Sequence, residues 1–243
     1  MIVWQYIRSV VFIVQMYVML AVYAVFGLPY ALAGGRSAAI RVCRGYCQWV
    51  CWSAGWIVGI KTEYRGEIPQ GDVLIAAKHQ SFFDILMIYA AIPRGKFIMK
   101  KELVWTPFVG WYAYLIGCVP VDRGKRGAAI KGMLEQAKDA RFAGGQLVIF
   151  AQGTRVAAGA KKPYKIGAGA LYSELGLPCV PAATNVGVFW PRHAILRKPG
   201  LAVVEFLPQI APGMPMGDYM KVIEAQIETA SDKLMAEAGL KVD

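Results

Sequence analysis

The sequence predicts an α/β fold: a mostly parallel sheet flanked by helices, preceded by an N-terminal hydrophobic helical membrane-anchoring region. Three observations lead there. Short apolar runs recur through residues 59–243, with intervals between them long enough for helices, and that alternation favours parallel strands joined by crossovers. No charged residue stands between Arg8 and Arg36. A change of composition at Gly59 to Gly66 then separates an N-terminal region, 1–58, from the α/β domain expected over 59–243.

Within the first region, Val10 to Phe26 is interrupted by a single strongly polar residue, Gln15. Twenty-odd apolar residues, at about 1.5 Å each, suffice to cross a hydrocarbon core of about 30 Å. Ala31-Leu32-Ala33 mimics a signal cleavage site, but the apolar stretch exceeds the roughly 7–15 residues of a signal peptide, which favours retention. If the segment spans, Arg36, Arg41 and Arg44 outnumber Arg8 and place the following domain in the cytoplasm. A second helix is expected over about Ser37 to Val58. It carries Cys43, Cys47 and Cys51 on one stripe, read as packing residues rather than metal ligands because no fourth ligand is near and the chain's histidines are His79 and His193. Five cysteines do not imply a disulfide framework, which agrees with a reducing compartment.

Beyond Gly59, strands are expected near Glu63-Tyr64-Arg65 and at about 73–77, 96–99, 118–121, 147–150, 179–184 and 202–207. Helices are expected at about 84–92, 108–116, 126–143, 164–176 and 217–239. The last is supported by Tyr219, Ile223, Ile227 and Leu234 on one face. The balance of charge narrows the partners. Hydrophobic residues make up 56% of the chain, mean hydropathy is +0.40, and the net charge is +11. An apolar, basic chain suits a surface of anionic lipid. Nucleic acid is disfavoured, because the basic residues are scattered and no nucleic-acid motif appears.

The chemistry concentrates in Lys78-His79-Gln80-Ser81-Phe82-Phe83-Asp84. His79 falls at the end of the strand 73–77, Asp84 in the first turn of the next helix. Residues five apart on one helix point about 140° from each other, so the pair meets only if the chain turns between them. A histidine with a carboxylate beside it is a proton acceptor with a fixed tautomer. Ser81-Phe82-Phe83-Asp84 also fits a helix-capping pattern, in which Asp84 serves the helix end and His79 is a satisfied loop histidine.

The motifs that follow are Lys100-Lys101-Glu102-Leu103, Pro107-Phe108-Val109-Gly110, Val119-Pro120-Val121-Asp122-Arg123, Phe150-Ala151-Gln152-Gly153-Thr154-Arg155 and Val180-Pro181-Ala182-Ala183-Thr184. In this order they resemble the glycerolipid acyltransferase family, in particular its bacterial 1-acylglycerol-3-phosphate branch, from about Val73 to Pro208. The resemblance implies direct acyl transfer from acyl-CoA or acyl-carrier protein to the hydroxyl of lysophosphatidic acid, giving phosphatidic acid at the cytoplasmic side of the inner membrane. Neither a metal nor another cofactor is implied. His79 takes the base role and Asp84 the orienting role. Arg155 is the first choice for the acceptor phosphate, which its planar fork can engage twice, with Arg123 and Lys100 behind it. Gln152 and Thr154 are candidate acceptor contacts, and Gly153 permits close backbone approach. The family also offers a pair of helices embedded in one leaflet as an alternative to a span. Lys78 departs from the family's usual Asn and Ala151-Gln152 from its Pro-Glu; the glutamine keeps a hydrogen-bonding carbonyl but cannot act as a base. Two other readings compete: an acceptor without phosphate, such as lyso-ornithine lipid, and a catalytically silent lipid-binding scaffold. A requirement for Arg155 separates the first, and the intact His79 and Asp84 speak against the second. No nucleophile elbow, P-loop or complete dinucleotide fingerprint is present.

Overall fold

In the computed structural model, which describes residues 2–122, 124, 126–139 and 144–241, every apolar run named above is a strand. These are β1 (Ile60–Arg65), β2 (Val73–Ala77), β3 (Gly95–Lys100), β4 (Val119–Val121), β5 (Gln146–Phe150), β6 (Cys179–Thr184) and β7 (Gly200–Phe206). They form one seven-stranded sheet in the order β1-β7-β6-β2-β5-β3-β4. Neighbours are parallel except β6 and β7. That exception has a local cause. The connection 185–199 carries one turn of helix, α6 (Val186–Phe189), and turns back instead of crossing over.

The remaining helices are α2 (Phe83–Ala91), α3 (Val109–Ile116), α4 (Arg126–Lys138), α5 (Gly167–Leu175) and α7 (Met216–Glu237). A 3-10 turn, Lys101–Trp105, follows β3. α5 starts later than its sequence pattern suggests, because Lys165 donates its backbone N–H to Ala151 O and holds 164–166 to the end of β5. Residues 140–143, expected to finish α4, lie outside the described residues.

The N-terminal apolar region is one helical element, α1 (Ile2–Ile57), broken at Gly35, whose φ of 60° and ψ of −151° reverse the chain. Only glycine takes such a backbone cheaply. The two arms, 2–34 and 36–57, run antiparallel: Gln5 Nε2 donates to Val58 O, Gln15 Nε2 to Ser53 Oγ and Trp49 Nε1 to Gln15 Oε1. The polar interruption at Gln15 is thus a clasp between the arms. Outwardly the first arm is apolar, with mean hydropathy 2.2 over its richest stretch, long and apolar enough to cross a membrane.

Side-chain alternation along β2 sorts the core into two layers. Val73, Ile75 and Ala77 face α1, α2 and α3, whereas Leu74 and Ala76 face α4, α5 and α7. Cys47 and Cys51 pack into the first layer. Tyr219, Ile223, Ile227 and Leu234 of α7 are all fully buried, each contributing about 1.5–3 kcal/mol of apolar transfer. Arg44, on the second arm of α1, donates to the carbonyls of Ala90 and Ala91 and so satisfies the open end of α2.

Candidate active site

The alternation of β2 continues past its end. His79 lies on the α2 side, while its neighbours Lys78 and Gln80 reach the opposite way into α7. His79 Nδ1 stands 2.9 Å from Asp84 Oδ1. The other carboxylate oxygen, Oδ2, accepts the backbone N–H groups of Gln80 at 2.7 Å and Ser81 at 2.8 Å. Ser81 Oγ accepts the N–H of Phe83. One carboxylate therefore closes the turn before α2 and orients the histidine at once. A carboxylate only accepts, so Nδ1 carries a hydrogen, and in the neutral ring the lone pair is on Nε2.

Asp84 is fully buried and the His79 side chain is 12% exposed. The imidazole lies on the ring of Phe150, with centroids 3.8 Å apart and planes 18° from parallel. Phe150 escapes motif reasoning because it reads as the last apolar residue of a strand. The signal that reveals it is register: Ala77 pairs with Phe150 across β2 and β5, which sets that ring beside the residues that follow Ala77.

The segment after β5 wraps the same corner. Val156 donates its N–H to His79 O, and Ala151 to Ala77 O. Gln152 is fully buried: its Nε2 donates to Lys162 O, and its Oε1 has no protein partner. Gly153 takes φ +67°, with the Lys165 side chain where a Cβ would project, its Nζ 3.3 Å from that point. Thr154 and Arg155 are half-buried beside it, and Arg192 Nη1 donates to Arg155 O. Lys165 has no signal in the sequence, since a lone lysine ten residues past a motif carries no pattern.

Lys78 and Tyr164 tie this corner to α7 through Glu228, and Gln80 through Met235. Lys78 Nζ pairs with Glu228 Oε2 at 2.5 Å, and Glu228 Oε1 accepts the Tyr164 hydroxyl at 2.8 Å. Burial, then the Glu228 charge, push the Tyr164 phenol above its ordinary range, so it stays a donor. Gln80 Oε1 accepts the N–H of Gly187 at 3.0 Å. Lys100, at the end of β3, is exposed and paired with Glu102 at 3.5 Å. Arg123 lies outside the described residues.

Known proteins share sequence and fold with this chain. Residues 59–185 match the family described as Acyltransferase. The chain is 30% identical over 169 residues to 1-acyl-sn-glycerol-3-phosphate acyltransferase of Pseudomonas aeruginosa, covering 69% of this chain and 66% of that one. It is 30% identical over 158 residues to the protein of that name in Cocos nucifera, covering 64% and 51%. The mouse alpha form is 29% identical over 164 residues, covering 65% and 58%. The chain thus spans about half to two thirds of the length of these relatives. The crystal structure of the 1-acyl-sn-glycerophosphate acyltransferase of Thermotoga maritima shares the fold, with a TM-score of 0.77 at 21% identity, over 95% of this chain and 98% of that one.

Proposed function

Because the chain belongs to the Acyltransferase family, we propose that it moves a fatty acyl chain from acyl-CoA or acyl-carrier protein to the free hydroxyl of lysophosphatidic acid, forming phosphatidic acid. The observation that carries the reading is His79, held through Nδ1 by a buried Asp84 on the sheet face that α1 covers. Nε2 takes the acceptor's hydroxyl proton as the oxygen attacks the thioester carbonyl. The tetrahedral intermediate then collapses, the C–S bond breaks, and the departing thiolate recovers the proton from the imidazolium. Such base catalysis is worth about 10² to 10⁴ in rate. Phe150 holds the ring plane, and Asp84 stabilises the imidazolium that forms.

Arg155 engages the acceptor phosphate, with Thr154 beside it, and the unpartnered Gln152 Oε1 accepts from the acceptor. Residues 1–58 serve as the membrane-associated part and 59–243 as the catalytic part. Because the arms of α1 return on themselves, with Gln5 at Val58 O, the hairpin enters and leaves the lipid on one side. We place the hairpin in one leaflet, at the cytoplasmic face of the inner membrane. The test is a purified-protein assay of a lysolipid panel with acyl-CoA and with acyl-carrier protein, read by product mass. Phosphatidic acid formed in preference to other products supports the reading, and a preference for a phosphate-free lysolipid overturns it.

A further inference from the structure

The 3-10 turn and α3 carry an apolar surface that the catalytic reading leaves unused. Trp105 is 86% exposed, Tyr114 69% and Trp111 48%, with Leu103, Val104 and Val109 exposed between them. Single exposed apolar residues are ordinary on soluble proteins; a contiguous aromatic patch marks a contact surface. The patch is also rigidly built. A Cβ on Gly110 would lie 1.9 Å from Val104 O, so the turn and α3 approach as closely as only glycine allows, and Phe108 at their junction holds φ +65°. Such strain persists where the surroundings over-determine it.

Its position says what it meets. The 3-10 turn leaves the carboxyl end of β3, which runs parallel to β5, as β5 does to β2. The carboxyl ends of β2 and β5 carry His79 and Gln152, so the patch stands at the same end of the sheet as the site. Tyr112 OH donates to Ala24 O at 3.1 Å, which joins α3 to the first arm of α1 beside the exposed Val25 and Phe26. The aromatic patch therefore extends the outer apolar face of the hairpin. Tryptophan and tyrosine favour the headgroup level of a bilayer, and the net charge of +11 favours anionic lipid.

We propose that the 3-10 turn and α3 form a second membrane-contacting surface, which seats the rim of the site at headgroup depth so that a lipid acceptor enters from the bilayer without crossing water. The proposal rests on the lysolipid reading for its acceptor and on the patch alone for its contact. The test compares full-length wild type with Trp105→Ser/Tyr114→Ser. On lysophosphatidic acid in phosphatidylglycerol-containing vesicles, the variant's apparent KM should rise about tenfold. On a short-chain, monomeric lysophosphatidic acid the two proteins should match. Equal KM values on vesicles overturn the proposal. Hydrogen exchange over 101–116 in wild type, with and without the same vesicles, reads the contact whether or not the variant folds and whatever the acceptor proves to be. Slowed exchange in the 3-10 turn supports it, and unchanged exchange overturns it. Absence of transfer by wild type in either format counts against the lysolipid reading instead.

Discussion

Lys78 and Glu228 form an ion pair at 2.5 Å between the turn that carries His79 and α7, with the Lys78 side chain 1% exposed. Breaking a buried pair by removing one partner costs about 3–5 kcal/mol, because the other charge stays behind; replacing both with apolar residues costs far less. Glu228→Gln, which strands the buried ammonium, should lower stability to denaturant more than Lys78→Met does. The double variant Lys78→Met/Glu228→Met should recover most of the loss. A double variant as unstable as Glu228→Gln would show that the pair does not carry the coupling.

His79→Ala should lower turnover by about two to four decades at a smaller cost in the unfolding midpoint, since the fold loses the ring stacked on Phe150 and one hydrogen bond to Asp84. Asp84→Asn should lose both turnover and stability, because Oδ2 also holds the amides of Gln80 and Ser81. Parallel single-turnover and thermal-unfolding measurements separate the two patterns. An Asp84→Asn protein of wild-type stability would show that the turn does not depend on that carboxylate.

Arg155→Lys keeps the charge but loses the guanidinium fork. Wild type should prefer lysophosphatidic acid strongly over monoacylglycerol, and the variant should lose most of that preference while donor KM changes little. Equal discrimination in both proteins would transfer the phosphate contact to Arg123 or Lys100.

Lys96, on β3, has its pKa held down to about 8 by burial first and then by Arg36, with Asp72 pulling the other way and Arg94 adding a smaller push down. Below that value the folded protein carries a charge the unfolded chain carries more easily, and the penalty fades as pH rises from about 8 toward the ordinary lysine range. Lys96→Met should therefore be more stable than wild type at pH 7, with the gap narrowing by pH 10. Thermal unfolding across that range checks it, and a constant gap would contradict the assignment.

The strands were legible because each is a short apolar run, and Val73 to Ala77 is buried at every position. The His79 to Asp84 contact was legible because a strand end and a helix start force the turn between them. The 3-10 turn at 101–105 and α6 were not, since a single turn is shorter than one apolar period. Nor was the reversal of β7, because pairing direction is set by the connection and not by the residues that pair. The partner of Lys78 lay beyond reach for a different reason: Glu228 sits on a helix whose apolar face announces itself, while its polar side reads as solvent-facing until α7 docks.

β1 finds its hydrogen-bonding neighbour in β7, with Ile60 opposite Gly200, so the first strand of the sheet is completed by the last. During synthesis β1 and the outer edge of β6 stand open until residues 200–206 have left the ribosome. Long-range closure of this kind slows folding and leaves unpaired edges available to other chains. An emerging chain stalled or cut between β6 and β7 would present two strand edges beside a hairpin already drawn to lipid. Closure of the sheet between β1 and β6 therefore waits on translation through β7.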